Sequence, residues 1–238
     1  MVLRMSKRLG IAFALSICGA NVLADSSVIG QIYAPYVQPL EQEIEFVWVE
    51  EERGDGSPLP ASRRSKLGYG RSIWSGIYTE LAVSSIDTYD SDYDQIELEA
   101  IWQITEQGEF ASDWGLLLEA ETSFGRDGSE ITAGVLNQRD VGRFSVITNA
   151  KLTYEWGDDV NTEFETALGI QGRYRWRREL EPTVELFMGQ NASAVGPGAT
   201  GIWSFGGGRQ LRWNASFLKG LKTGFDYSVK LEFEYEFF

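Results

Sequence analysis

No histidine occurs anywhere in the 238 residues, which removes the commonest general base near neutral pH and the commonest transition-metal ligand together. A serine without a histidine partner is a poor nucleophile, so hydrolase and acyltransferase chemistry is not expected, and neither is a cofactor. The single cysteine, Cys18, lies in a segment read below as a cleaved signal, and its loss leaves no thiol for disulfides, metal or catalysis. Beyond the first thirty residues there is no apolar run of about 18, the length a membrane-spanning helix needs, so a helical membrane protein is excluded. Positive charge is also scarce: 21 Lys and Arg stand against 35 Asp and Glu, a surface that repels nucleic acid.

What is present begins with an export signal. Arg4, Lys7 and Arg8 precede an apolar stretch from Leu9 to Ala20, then Val22, Leu23 and Ala24 with small residues where a signal peptidase needs them, and cleavage is expected after Ala24. Ile17 before Cys18 argues against a lipoprotein signal. Removal of residues 1–24 takes away three basic residues and no acid, leaving 18 Lys and Arg against 35 Asp and Glu. Residues 25–40 are polar and contain Pro35 and Pro39, which predicts an extended leader that lies in the periplasm or plugs the domain formed by residues 41–238.

From residue 41 onward the governing pattern is a two-residue alternation broken by Gly, Asp, Asn and Ser clusters, as in successive antiparallel strands. It is clearest at the end, where Phe225, Tyr227, Val229, Leu231, Phe233, Tyr235 and Phe237 alternate with Asp226, Ser228, Lys230, Glu232, Glu234 and Glu236. The same phase runs through Ile96 to Ile104, Trp114 to Phe124, Phe144 to Trp156 and Phe164 to Trp176. Shorter segments lie at Ile44 to Trp48, Leu67 to Ile73, Ile77 to Val83, Ile131 to Val135, Val184 to Met188, Ala199 to Phe205 and Leu211 to Phe217. The expected total is about twelve strands (between about 10 and 14), several of them near the roughly 9–11 residues that cross a bilayer when tilted. An even count returns both ends of the domain to one side. External loops then fall near residues 54–65, 87–94, 126–129, 157–161, 190–198 and 219–224.

A row of apolar side chains on strand after strand needs either a soluble core or lipid. Trp48, Trp102, Trp114, Trp156, Trp176, Trp203 and Trp213 fall mostly near predicted strand ends, where the aromatic girdles of membrane barrels sit. In hydrocarbon a sheet must close, because an open edge would leave backbone groups unpaired. The predicted fold is therefore all-β, a closed antiparallel up-and-down transmembrane barrel.

With its export signal, amphipathic strands and aromatic ending Tyr235-Glu236-Phe237-Phe238, the chain resembles Gram-negative outer-membrane β-barrel proteins across nearly its whole mature length. The resemblance implies residence in outer-membrane lipid and an assembly signal at Tyr235, Phe237 and Phe238 read by the barrel-assembly machinery. Phe238 departs from the usual ending by one residue and falls on the polar phase.

Opposite the lipid row, the expected lumen lining includes Glu97, Glu99, Glu119, Glu121, Glu163, Glu165, Glu185, Glu232 and Glu234 against Lys151, Arg173, Arg175 and Arg212. An excess of carboxylates would favour cations, as charged rings do in selectivity filters. Three readings follow: a small porin-like channel for polar or cationic solutes, a closed structural or binding barrel, and a soluble barrel with apolar residues inside. The pair Glu119 and Glu121 matches glycosidase carboxylates only in type, and strand alternation accounts for it. Asp90, Asp92 and Asp94 open like a calcium loop, but Gln95 and Ile101 stand where the motif needs Gly and Glu, so no metal site is assigned.

Overall fold

The computed structural model describes residues 28–53, 61–88, 92–125, 127–190, 192–222 and 226–238. The signal over residues 1–24, Asp90, Phe225 and the centres of several expected loops lie outside the described residues.

Twelve strands follow one another: β1 (Gln42–Glu52), β2 (Ser62–Trp74), β3 (Ile77–Thr88), β4 (Asp92–Gln103), β5 (Asp113–Phe124), β6 (Ser129–Val141), β7 (Phe144–Trp156), β8 (Glu163–Tyr174), β9 (Glu181–Gly189), β10 (Ser193–Gly206), β11 (Arg209–Gly220) and β12 (Tyr227–Phe237). Each pairs antiparallel with its chain neighbours, and β1 pairs with β12 from Gln42 opposite Phe237 to Glu52 opposite Tyr227, which closes the barrel. Closure satisfies every sheet edge internally, as a low-dielectric surround demands. The ends of β2 and β12 share one rim with the start of β1, here the terminal rim; the opposite end is the loop rim.

Alternation sets the two surfaces. Leu67, Leu81, Val83, Leu98, Leu118 and Val135 are 45–58% exposed on the outside, while Glu45, Glu80, Glu99 and Glu185 are at most 3% exposed on the opposite row. This is the reverse of what a soluble barrel with an apolar interior requires. Replacing Leu118 by Arg is expected to cost about 2–4 kcal/mol of folding stability in lipid, because it would set a charge in hydrocarbon. Equilibrium unfolding from phospholipid vesicles measures it, and a loss indistinguishable from zero would contradict a lipid-facing row.

Strand positions agree with the sequence pattern, but several strands run further than their apolar alternation. β2 begins five residues before Leu67, and β6 continues past Val135 through Asn137 and Arg139. The hydrogen-bond ladder continues where the outer row turns polar, beyond an apolar belt shorter than the strands. β10 starts at Ser193, inside the segment expected to be an external loop, and passes through Gly196-Pro197-Gly198. A side chain at Gly196 would stand 1.9 Å from the Phe217 carbonyl oxygen, so only glycine lets β10 lie this close to β11. At the terminal rim, Gly207 and Gly208 form a two-residue turn with φ of 63° and 73°, the positive values that tight hairpins need. β8 stops at Tyr174, leaving Arg175 and Trp176 in the following turn, and β12 stops at Phe237, so Phe238 lies past the strand.

Candidate lumen site

The N-terminal segment, residues 28–41, occupies the interior of the barrel. Ile29 is fully buried against Val47, Val49, Phe187, Ala194 and Leu218, toward the loop rim. Val37 packs with Tyr78, Ile101, Leu117 and Leu136, toward the terminal rim. Burying each of these two side chains stabilises by about 1.5–3 kcal/mol. Between them, Pro35 is fully buried, and a Cβ at Gly115 would meet it at 3.1 Å. Leu40, at φ 67°, then reverses the chain into β1.

The backbone of an extended segment inside a barrel has no ladder partner, so side chains must satisfy it. Asn149 does so twice: the Tyr33 N–H donates to Asn149 Oδ1 (2.7 Å), and Asn149 Nδ2 donates to the Tyr33 carbonyl (2.8 Å). The Val37 N–H donates to Gln103 Oε1 at 2.8 Å, and Lys230 Nζ donates to the Gly30 carbonyl at 3.3 Å. Tyr36 donates its hydroxyl to Asp113 at 2.6 Å, and burial together with that bond pushes the phenol above its ordinary range. Gln31 donates to Glu45, and Tyr33 donates its hydroxyl to Glu119 at 3.2 Å.

Two cavities flank the segment. One of about 550 Å³ is bordered by Tyr36, Glu41, Glu99, Arg173, Arg212 and Glu234. The other, of about 170 Å³, is bordered by Val28, Arg64, Glu97, Glu121, Glu165 and Gly189. Gln31 and Tyr33 border both, so the segment stands between them.

Ion pairs organise the inner row into clusters. Lys66, 5% exposed, reaches Glu45 (2.9 Å), Glu80 (3.0 Å) and Glu97 (3.6 Å). Lys151 pairs with Glu119 at 3.0 Å and lies 4.8 Å from the Tyr33 ring centre. Across the barrel Lys230 bridges Glu185 (3.0 Å) and Glu232 (3.1 Å), and Arg212 bridges Glu234 (2.8 Å) and Glu236 (2.9 Å). Arg173 pairs with Glu181 at 3.2 Å, and Arg175, beyond β8, pairs with Asp140 at 2.5 Å. Glu121 accepts from Gln95. Glu163 and Glu165 stand apart from these groups, near the loop rim beside Glu155. Just before β1, burial and the nearby Glu236 push the Glu41 carboxyl up to about 7.

Sequence reasoning missed Lys66 and Arg64, because it started β2 at Leu67. Carrying the alternation two steps back would have placed both opposite the outer row. The tryptophans divide unevenly: Trp102, Trp114, Trp176, Trp203 and Trp213 lie toward the terminal rim and Trp156 at the loop rim, whereas Trp48 sits mid-strand opposite Leu231.

The closed twelve-strand ring, not any local motif, is what can be compared with other proteins. No family model matches the sequence, and no curated protein matches it significantly. Solved structures do. An outer-membrane channel from Pseudomonas putida F1 superposes with a TM-score of 0.59 at 10% identity, over 87% of this chain and 98% of that one. The chain has the fold of the Gram-negative outer-membrane β-barrels. The β domain of the Bordetella autotransporter BrkA superposes at 0.56 with 13% identity, over 84% of this chain and 100% of that one. The KdgM porin superposes at 0.54 with 8% identity, over 82% and 98%. At these identities an outer-membrane barrel fold is shared, and the function has to come from the site.

Proposed function

We propose that the protein is an outer-membrane, porin-like channel for small polar or cationic solutes, exported by its N-terminal signal, with residues 28–41 constricting a carboxylate-rich lumen. The observation that carries this reading is the pair of polar cavities on either side of the segment, bordered by Glu97, Glu99, Glu121 and Glu234. Twelve strands enclose more room than the eight that side chains alone can fill, and this barrel fills part of the surplus with its own leader. Fixed carboxylates in a narrow, low-dielectric passage concentrate cations and repel anions. The fold shared with porins and channels agrees with that assignment. No catalytic step is part of it.

The test is single-channel recording of the folded protein in planar bilayers under a KCl gradient. A reversal potential of the sign that marks cation preference is expected, shifting toward zero in Glu121→Gln. A folded, inserted protein that gives no conductance steps would sink the channel reading. The outcome would then favour the second one, a closed barrel, for which the specific observation is the bridging of inner carboxylates by Lys66, Lys230 and Arg212.

A further inference from the structure

On the inner wall, one carboxylate oxygen each from Glu97, Glu99 and Glu119 lies within 4.8 Å of the others. Glu97 and Glu99 are successive inner-row residues of β4, and the register sets Glu99 directly opposite Glu119 on β5 and Glu80 on β3. Like charges facing each other across a sheet destabilise it unless something compensates them.

Among the described residues, ion pairs at contact distance reach the neighbours, whereas Lys66 acts on Glu99 only through space. Lys66 serves Glu45, Glu80 and Glu97, while Lys151 and Tyr33 serve Glu119. Glu99 is 2% exposed, and its Oε2 is buried without a hydrogen-bond partner among the described residues. A buried polar atom with no partner calls for a missing one. Around it stand four other carboxylates, Glu45, Glu80, Glu97 and Glu119, with two ammonium groups, Lys66 and Lys151.

We propose that Glu97, Glu99 and Glu119 form a calcium site in the lumen. Oxygens gathered within 4.8 Å can all face an ion between them at about 2.3–2.6 Å, the calcium–oxygen distance, and calcium tolerates irregular all-oxygen shells completed by water. Both water sources are at hand, since Glu99 borders the larger cavity and Glu97 and Glu119 the smaller. The 3.6 Å contact from Lys66 to Glu97, the longest of its three, is the one that loosens to admit the ion. An ion held there ties β4 to β5 beside Tyr33, and the site exists whether or not the barrel conducts.

Calorimetric titration of the folded full-length protein in detergent, stripped with a chelator and then given calcium chloride, tests the assignment. Wild-type protein is expected to show a saturable site, weakened about tenfold or more in Glu99→Gln and unchanged in Glu106→Gln, an exposed turn residue. Calcium is also expected to raise the wild-type unfolding temperature, a readout that needs no variant to fold. Absence of saturable binding in the wild type overturns the proposal. So does binding that Glu99→Gln leaves intact, which would place the ion at another carboxylate group, Glu41, Glu43 and Glu236 or Glu155, Glu163 and Glu165.

Discussion

Removing residues 28–38 is expected to raise single-channel conductance severalfold and to make openings long and uniform. The segment lies between the two cavities and borders both through Gln31 and Tyr33. Its removal withdraws Ile29 and Val37 from their pockets, so the shortened protein should lose stability, with about 1.5–3 kcal/mol for each buried side chain. The ladder of twelve paired strands does not depend on it. A milder variant separates blockage from damage. Asn149→Ala removes the two hydrogen bonds to the Tyr33 backbone, each worth about 0.5–1.5 kcal/mol, while leaving the strand pairs of β7 in place. Brief transitions to a larger conductance are expected from it at low frequency. If the deletion variant inserts and conducts no better than the intact protein, residues 28–41 are a structural filler and not a constriction.

The phase of the strands was legible because the outer row is mostly apolar within the belt, and a one-residue slip would have set Leu118 or Val135 on the inner face. Strand ends were less legible for a physical reason: hydrophobic alternation records where lipid is, whereas the ladder extends past lipid at both rims. That difference hid Lys66, the residue holding Glu45, Glu80 and Glu97 together. Pairing itself cannot be read from alternation, since a list of inward charges does not say which of them touch.

The leader was legible as extended and lacking strand character, from Pro35 and Pro39, but the choice between the periplasm and the barrel interior was not. The bonds that hold it join residues 116 apart in sequence, Tyr33 and Asn149, and no local pattern encodes them. One signal was available. Val28, Ile29, Ile32 and Val37 are apolar residues on a segment without a strand partner, and such residues need burial somewhere. Trp48 shows the opposite limit, since an outward tryptophan reads as a girdle residue by type although its place is mid-strand.

The buried charges of β12 carry the other large expected effect. Lys230→Met should destabilise the barrel by about 3–5 kcal/mol, because removing one partner of a buried ion pair leaves the other charge without compensation. Lys230 and Glu185 are both 0% exposed, at 3.0 Å, and the same ammonium holds Glu232 at 3.1 Å and the Gly30 carbonyl at 3.3 Å. Glu185 would keep two donors, Gln171 and Asn214, each at 2.9 Å, which moderates the loss without neutralising the carboxylate. Adding Glu185→Gln to Lys230→Met removes that stranded charge and should recover a large part of the stability, whereas Glu185→Gln alone should cost less than Lys230→Met. Urea unfolding from vesicles, run on the three variants as a double-mutant cycle, isolates the coupling. A loss below about 1 kcal/mol for Lys230→Met would mean that water reaches the pair and screens it. The inner wall at β9, β11 and β12 would then be wet through to Lys230, and the leader could not be sealing that side of the barrel.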